Sequence, residues 1–278
     1  MCFLGACVWP FIGRGFNRPY LGAFIGLLWF FIPNNLCAIF IEGNLARSLS
    51  MIFLPVFIYS VYKYLYNHKL RYIPLMVFTF LLMELCHLGY AGMAAIAVII
   101  YGIVYMIQKG RKKAVLDVVI SMIFGFMLLG IWLVASLRGG ITSLDNSENM
   151  ANFFQNLWIT INPFERLTRG FEYFYFGFAA LVVIVFGILF GYKKSRTGFV
   201  TGFIILLMTT KSAYAVLKHL PGSQYLWMLR FISIALCMIL MSFLMWDRLK
   251  KTLVLMLCVL LVVDTIPSLS LIVGEHND

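Results

Sequence analysis

The sequence predicts an all-α fold, a polytopic transmembrane helix bundle, and three observations predict it. Hydrophobic residues make up 62% of the chain and charged residues 12%, about half the charged share of a typical globular domain. Fifteen of the 22 Lys/Arg residues fall in five short clusters: Arg14/Arg18, Lys63/Lys69/Arg71, Lys109/Arg111/Lys112/Lys113, Lys193/Lys194/Arg196 and Arg248/Lys250/Lys251. Between successive clusters lies enough apolar chain to cross a bilayer out and back, which is the positive-inside pattern repeated along the sequence. The formal net charge of +11 therefore belongs to short cytoplasmic loops facing anionic headgroups. No basic stripe interleaved with aromatics marks a nucleic-acid-binding module.

With the basic clusters inside, the elements follow in order. Met1–Ile12 is apolar but reaches only about 18 Å as a helix, short of the ~30 Å hydrocarbon core, and reads as the second half of a partial first span. Tyr20–Phe31 runs outward and breaks at Ile32–Asn35, leaving an outside segment through Ser48. Leu49–Tyr66 returns. Tyr72–Leu88 goes out, turns within Gly89–Gly92, and Met93–Ile107 comes back. Ala114–Leu137 leads to an outer loop, Arg138–Tyr175. Phe176–Tyr192 returns, Gly198–Leu217 goes out, Trp227–Trp246 returns and Thr252–Ser268 makes the last crossing. The expectation is about nine full spans plus the partial first one, a single integral-membrane domain over residues 1–278, multi-pass in the cell membrane, with the C-terminus outside.

Within the outer loop, Met150, Phe153, Phe154, Leu157, Trp158 and Ile161 recur at helical spacing with amides between them, which predicts an amphipathic interfacial helix ended by Pro163. The six cysteines are scattered without CxxC spacing and sit in or beside spans, where Cys acts as a small apolar residue. They imply no disulfide framework and no zinc site. Most carboxylates, including Glu42, Asp145, Glu148, Glu165 and Glu172, fall outside, so chemistry that needs a carboxylate is expected on the outer face.

Three stretches carry residues suited to chemistry. The turn Glu42-Gly43-Asn44-Leu45-Ala46-Arg47 sets polar groups among apolar neighbours; Glu42 and Arg47 either pair with each other or face a ligand between spans. Glu84 and His87, at i and i+3 on one predicted helix face, offer a polar contact or a cavity wall; a bundle di-metal site would need a second such pair. From Lys211 to Arg230 lies the most basic part of the outer face, where Lys211, Trp227 and Arg230 are candidates for a phosphate ligand and interfacial anchoring by Trp227 is the bland alternative. No Walker loop, Gly-x-Ser-x-Gly, His-Glu-x-x-His or dinucleotide fingerprint occurs, and no metal site is predicted.

The Pro-Asn-Asn…Glu-Gly-Asn-Leu-Ala-Arg turn, Leu54-Pro55 one span later, His87 and the Tyr-Leu-Trp-Met-Leu-Arg-Phe run together resemble bacterial membrane proteins carrying the label "6-pyruvoyl-tetrahydropterin synthase-related domain". That group is in turn similar to GT-C-type polytopic glycosyltransferases. The label does not imply the soluble synthase's activity, since that enzyme uses a three-histidine zinc site and the four histidines here are widely scattered. The GT-C resemblance implies sugar transfer from a polyprenyl-phosphate donor to a glycan or lipid acceptor at the outer face, for envelope polysaccharide. It also implies that the chain is an N-terminally truncated piece: the catalytic acidic residue of such enzymes lies in a first outside loop, ahead of Arg14/Arg18. A divalent cation, Mg or Mn, would then belong to the full-length parent, with no cofactor in this chain. Glu42, Asn44 and Arg47 match the family's outer turn, His87 its outer-end histidine, and Trp227/Arg230 its Trp-Arg motif; Glu42 is the one weak catalytic candidate. The alternatives are a transporter or flippase of lipid-linked glycans and an O-antigen-type polymerase or ligase.

Overall fold

A computed structural model describes residues 2–40, 42–130, 134, 161, 177–219, 228–246, 249–266 and 268. Every regular element among them is a helix: α1 (Cys2–Gly15), α2 (Pro19–Phe31), α3 (Pro33–Phe40), α4 (Leu45–Asn67), α5 (Tyr72–Lys109), α6 (Lys112–Leu128), α7 (Phe178–Phe190), α8 (Lys193–Met208), α9 (Lys211–Leu217), α10 (Met228–Met245) and α11 (Lys251–Val263). The predicted loop helix Met150–Ile161 lies, apart from Ile161, outside the described residues.

The expected nine full spans are not supported, and the count is lower. Among the described residues three helices can cross a membrane by length and composition, α4, α5 and α10, or four if α2 and α3, bent by 52° at Ile32, form one span. Hydropathy counts apolar residues but not the breaks between them. The run Gly198–Leu217 is interrupted at Thr209–Thr210, where Thr210 is extended (ψ 155°) and separates α8 from α9. The predicted spans Phe176–Tyr192 and Thr252–Ser268 yield α7 and α11, each 13 residues long and so only about 20 Å. Gly177, at φ +109°, and Gly191 bound α7, while α11 ends at Asp264.

The two crossings expected from Tyr72 to Ile107 form one element whose chain reverses. His87 leaves helical geometry (φ −154°, ψ 93°), and the contacts with α4 show the change of direction. Ser50 at the start of α4 donates to the Met83 carbonyl (3.1 Å), and Tyr59 packs edge-on to Tyr72, so the first leg runs antiparallel to α4. The Arg47 guanidinium lies over the Tyr90 ring, Tyr62 stacks on Tyr101 at 4.4 Å, and Tyr105 Oη donates to the Leu65 carbonyl, so the second leg runs parallel. The reversal thus precedes the expected Gly89–Gly92 turn, whose glycines are helical.

This pairing separates the two ends of the bundle. Lys63 donates to the Gly15 carbonyl, Arg111 to His68, and Tyr66 meets Thr197 at 2.9 Å. The basic clusters at Arg14, Lys63, Arg111 and Lys194 therefore gather at the C-terminal end of α4, while its N-terminal end meets the reversal at His87, about 30 Å away along the helix. At the centre stands α10, whose residues are nearly all buried against α2, α3, α4, α5, α7 and α8. A helix apolar all round belongs in such a place. The outer surface is apolar too, with Ile103, Ile107, Leu116, Leu255 and Val259 exposed, as lipid-facing helices require.

Helices α1 and α2 form a tight hairpin through small residues. A Cβ on Gly13 or on Gly22 would come within 2.9 Å of the other's Cα, so the backbones touch, as at small-residue contacts in membranes. Gly22→Val is expected to lower stability by about 1–3 kcal/mol, read as an earlier thermal unfolding transition of the detergent-solubilised protein; an unchanged transition would refute the close approach.

Candidate functional site

The site begins with the break after α2. Proline at position 33 opens α3, fitting the first helical position where its missing N–H is harmless, and the bend turns Asn34 and Asn35 into the interior. Both are buried. Asn34 Nδ2 donates to the Leu229 carbonyl (3.1 Å) and Asn35 Nδ2 to the Trp29 carbonyl (2.7 Å). Past α3, the Glu42 amide donates to the Cys37 carbonyl and the Asn44 amide to that of Ala38. Gly43, at φ +58°, supplies the left-handed residue that this reversal needs. Asn44 then caps α4, its Oδ1 accepting from the Arg47 amide at 2.9 Å, the usual N-cap arrangement.

That cap aims Arg47 back into the bundle, where the side chain is completely buried. Nη1 donates to Glu42 Oε1 (2.8 Å) and Nη2 to Asn34 Oδ1 (2.6 Å). The forked guanidinium thus ties the α3 break to the start of α4 through two partners, which a lysine ammonium cannot match in geometry. Its face rests on Tyr90, with Cζ 5.9 Å from the ring centroid. The Tyr90 hydroxyl pairs with Ser233 of α10 (2.7 Å), and Ser233 Oγ donates to the Arg230 carbonyl.

The reversal of α5 completes the cluster. The Tyr90 amide donates to His87 Nδ1 (3.2 Å), and His87 Nε2 stands 3.2 Å from Arg230 Nη1. A neutral imidazole that accepts at Nδ1 carries its proton on Nε2. Nε2–H then sits beside a guanidinium that can only donate. Both groups can donate to one anionic oxygen, the strongest acceptor for either. Among the described residues of the cluster, Glu42 contributes one negative charge and Arg47 and Arg230 two positive ones, and the three lie within electrostatic range of one another.

Of the sequence candidates, Glu42, Asn44, Arg47, His87 and Arg230 are brought together. Glu84 is not. It is buried one turn before the break, its Oε2 toward Gly125 of α6, because loss of helical geometry at His87 undoes the expected shared face. Lys211 is exposed at the start of α9, and no hydrogen bond or ion pair among the described residues joins it to the cluster. Trp227 lies outside the described residues. Sequence reasoning missed the roles of Asn34, Tyr90 and Ser233. The signal for Asn34 was present as a pair of amides inside an apolar run; Tyr90 and Ser233 gave none.

The resemblance assigns a divalent cation to a full-length parent, and the described residues of this chain offer no set to hold one. Among the described residues no group of three His, Cys, Asp or Glu side chains converges, and the cluster's one carboxylate, Glu42, is held by Arg47, whereas Mg takes six oxygens. Nor can the histidines share zinc: His68 caps the far end of α4 while His87 lies by its start. Replacing Arg47 by alanine strands Glu42 and Asn34. Arg47→Ala is expected to destabilise the protein by about 3 kcal/mol, with Arg47→Lys recovering only part, as measured by thermal unfolding. Equal stability of Arg47→Ala and the parent would remove Arg47 as the brace.

No curated protein and no solved structure matches the chain. One family model, described as a 6-pyruvoyl-tetrahydropterin synthase related domain of a membrane protein, matches residues 1–272, nearly the whole chain. The chain belongs to this 6-pyruvoyl-tetrahydropterin synthase related family of membrane proteins.

Proposed function

We propose that the protein is a GT-C-like membrane glycosyltransferase, or a relative of such enzymes, that holds the phosphate of a polyprenyl-phosphate-linked sugar at His87 and Arg230 on the extracytoplasmic side. The observation that carries this reading is the closeness of two groups able to donate to one phosphate oxygen, His87 Nε2 and Arg230 Nη1, 3.2 Å apart, in a cluster whose described residues carry a net positive formal charge. A lipid phosphate brings its charge to this depth with its prenyl chain in the bilayer, so ligand and site meet without dragging a soluble anion into hydrocarbon. Placement of the site at the end opposite the basic clusters agrees with the outer face under the positive-inside rule, and the same rule puts the C-terminus outside.

In the reaction, the sugar's anomeric carbon forms a bond to an acceptor hydroxyl oxygen and its bond to the phosphate oxygen breaks. The hydroxyl proton goes to a carboxylate, and the departing phosphate keeps the electron pair. Arg230 and His87 neutralise the charge that develops on the leaving group. Arg47 serves as a positioning residue. Glu42 is the carboxylate at hand in this chain, with Oε2 buried and lacking a hydrogen-bond partner, and accepting the proton is the role proposed for it.

In native membranes, Arg230→Ala and Glu42→Gln are each expected to abolish glycan modification, roughly a hundredfold or more in rate, without reducing membrane insertion. Normal modification by both variants would remove them from the site. With purified protein and a polyprenyl-phosphate sugar, bond formation is the expected outcome. Transport of the glycan without bond formation would replace this reading with that of a flippase, and transfer untouched by Arg230→Ala would favour the polymerase or ligase alternative.

A further inference from the structure

The opposite end of the bundle carries a separate basic cleft that the proposed reaction does not use. It has an open volume of about 680 Å³ and is lined by His68, Gly110, Arg111, Lys112, Lys113 and Asp117, among others. Gly110, at φ +69°, ends α5 and turns the chain straight into α6, so three consecutive cations face one hollow. The acid in that hollow is already engaged: Asp117 Oδ2 accepts from Tyr64 Oη at 2.6 Å. Arg111 donates to His68 Nε2. No carboxylate pairs with Arg111, Lys112 or Lys113 among the described residues, where Glu42–Arg47 is the ion pair present.

Below the cleft α6 turns apolar on the face that carries Lys112. Lys112, Leu116 and Ile120 fall at i, i+4 and i+8 of α6, one face, and all three are exposed. On the neighbouring leg of α5, Ile103 and Ile107 are exposed with the same spacing. A charged cup thus stands directly above an apolar wall that only acyl chains or another helix can cover. From this juxtaposition we propose that the cleft binds the phosphate headgroup of an anionic glycerophospholipid, with Lys112 and Lys113 holding the phosphate and an acyl chain lying on the Leu116–Ile120 face of α6. A basic pocket between helices at the cytoplasmic side recognises such headgroups by charge, and the apolar wall distinguishes a lipid from free phosphate. The site is independent of the His87–Arg230 cluster.

Native mass spectrometry of the purified, detergent-solubilised protein tests the proposal, with phosphatidylglycerol and phosphatidylcholine offered together. The parent is expected to retain phosphatidylglycerol in preference. The double variant Lys112→Gln/Lys113→Gln is expected to retain roughly tenfold less, while Lys112→Arg/Lys113→Arg and the control Lys250→Gln/Lys251→Gln keep it. Because the two lysines are exposed, helix content by circular dichroism is expected to stay unchanged. A measurement without any variant guards the result: raising salt from about 0.1 M to about 1 M should weaken retention by the parent. Three outcomes each overturn the proposal: no headgroup preference in the parent, equal loss in the Lys250/Lys251 control, or displacement of the lipid by inorganic phosphate at equal concentration.

Discussion

The buried guanidinium of Arg47 is the constraint around which one end of this molecule is arranged. A charge with no exposed surface, placed among apolar helices, is tolerable only with fixed partners. Those partners come from the break after α2 and the turn before α4, through Asn34 and Glu42. The bend at Ile32, the left-handed Gly43 and the Asn44 cap each make sense as parts of the path that brings these atoms to Arg47. Remove the charge and the bend has no evident purpose, since an unbroken apolar helix would satisfy its own backbone better.

The same residue links the brace to the proposed ligand site without belonging to it. Its face lies on Tyr90, whose amide fixes the imidazole of His87 and whose hydroxyl holds Ser233, one turn beyond Arg230. The two groups proposed to hold a ligand are therefore each positioned by Tyr90. Preorganisation of this kind holds donors where charge will arrive and needs no rearrangement when it does. It also explains why α5 reverses at His87 and not at the glycines that follow: the imidazole, out of helical geometry, closes the turn by accepting from Tyr90.

Which residues share an end of the bundle was legible in the sequence, because it follows from where Lys and Arg sit relative to apolar runs. That pattern placed Glu42, Asn44, Arg47, His87 and Arg230 at one level, and they do converge. The number of spans was not legible, because it depends on helix breaks made by contacts distant in sequence. Asp264 is the clearest case: its carboxylate accepts from the Ala179 and Ala180 amides at 3.0 and 2.7 Å, capping α7 from 85 and 84 residues away. Local sequence shows capping only when the cap precedes the helix. Glu84 failed for a related reason, since helical spacing predicts a shared face only while the helix continues.

Tyrosine conceals a further part of the design, because hydropathy counts it as apolar. In the basic half of the bundle, Tyr62 lies 3.5 Å from Ser242, Tyr101 donates to Tyr66, Tyr66 pairs with Thr197, and Thr197 donates to Gln108. These groups join α4, one face of the second α5 leg, α8 and α10 in the basic half of the bundle, and Tyr62 also donates to the Met238 carbonyl. Rings stacked at 4.4 Å leave no width for a sugar between them. A transporter of glycans needs polar groups along its path that can exchange a protein partner for the cargo; in this half of the bundle the polar groups lock helices to one another. The arrangement favours chemistry confined to one end of the bundle over passage through it, which is the physical ground for preferring bond formation to flipping.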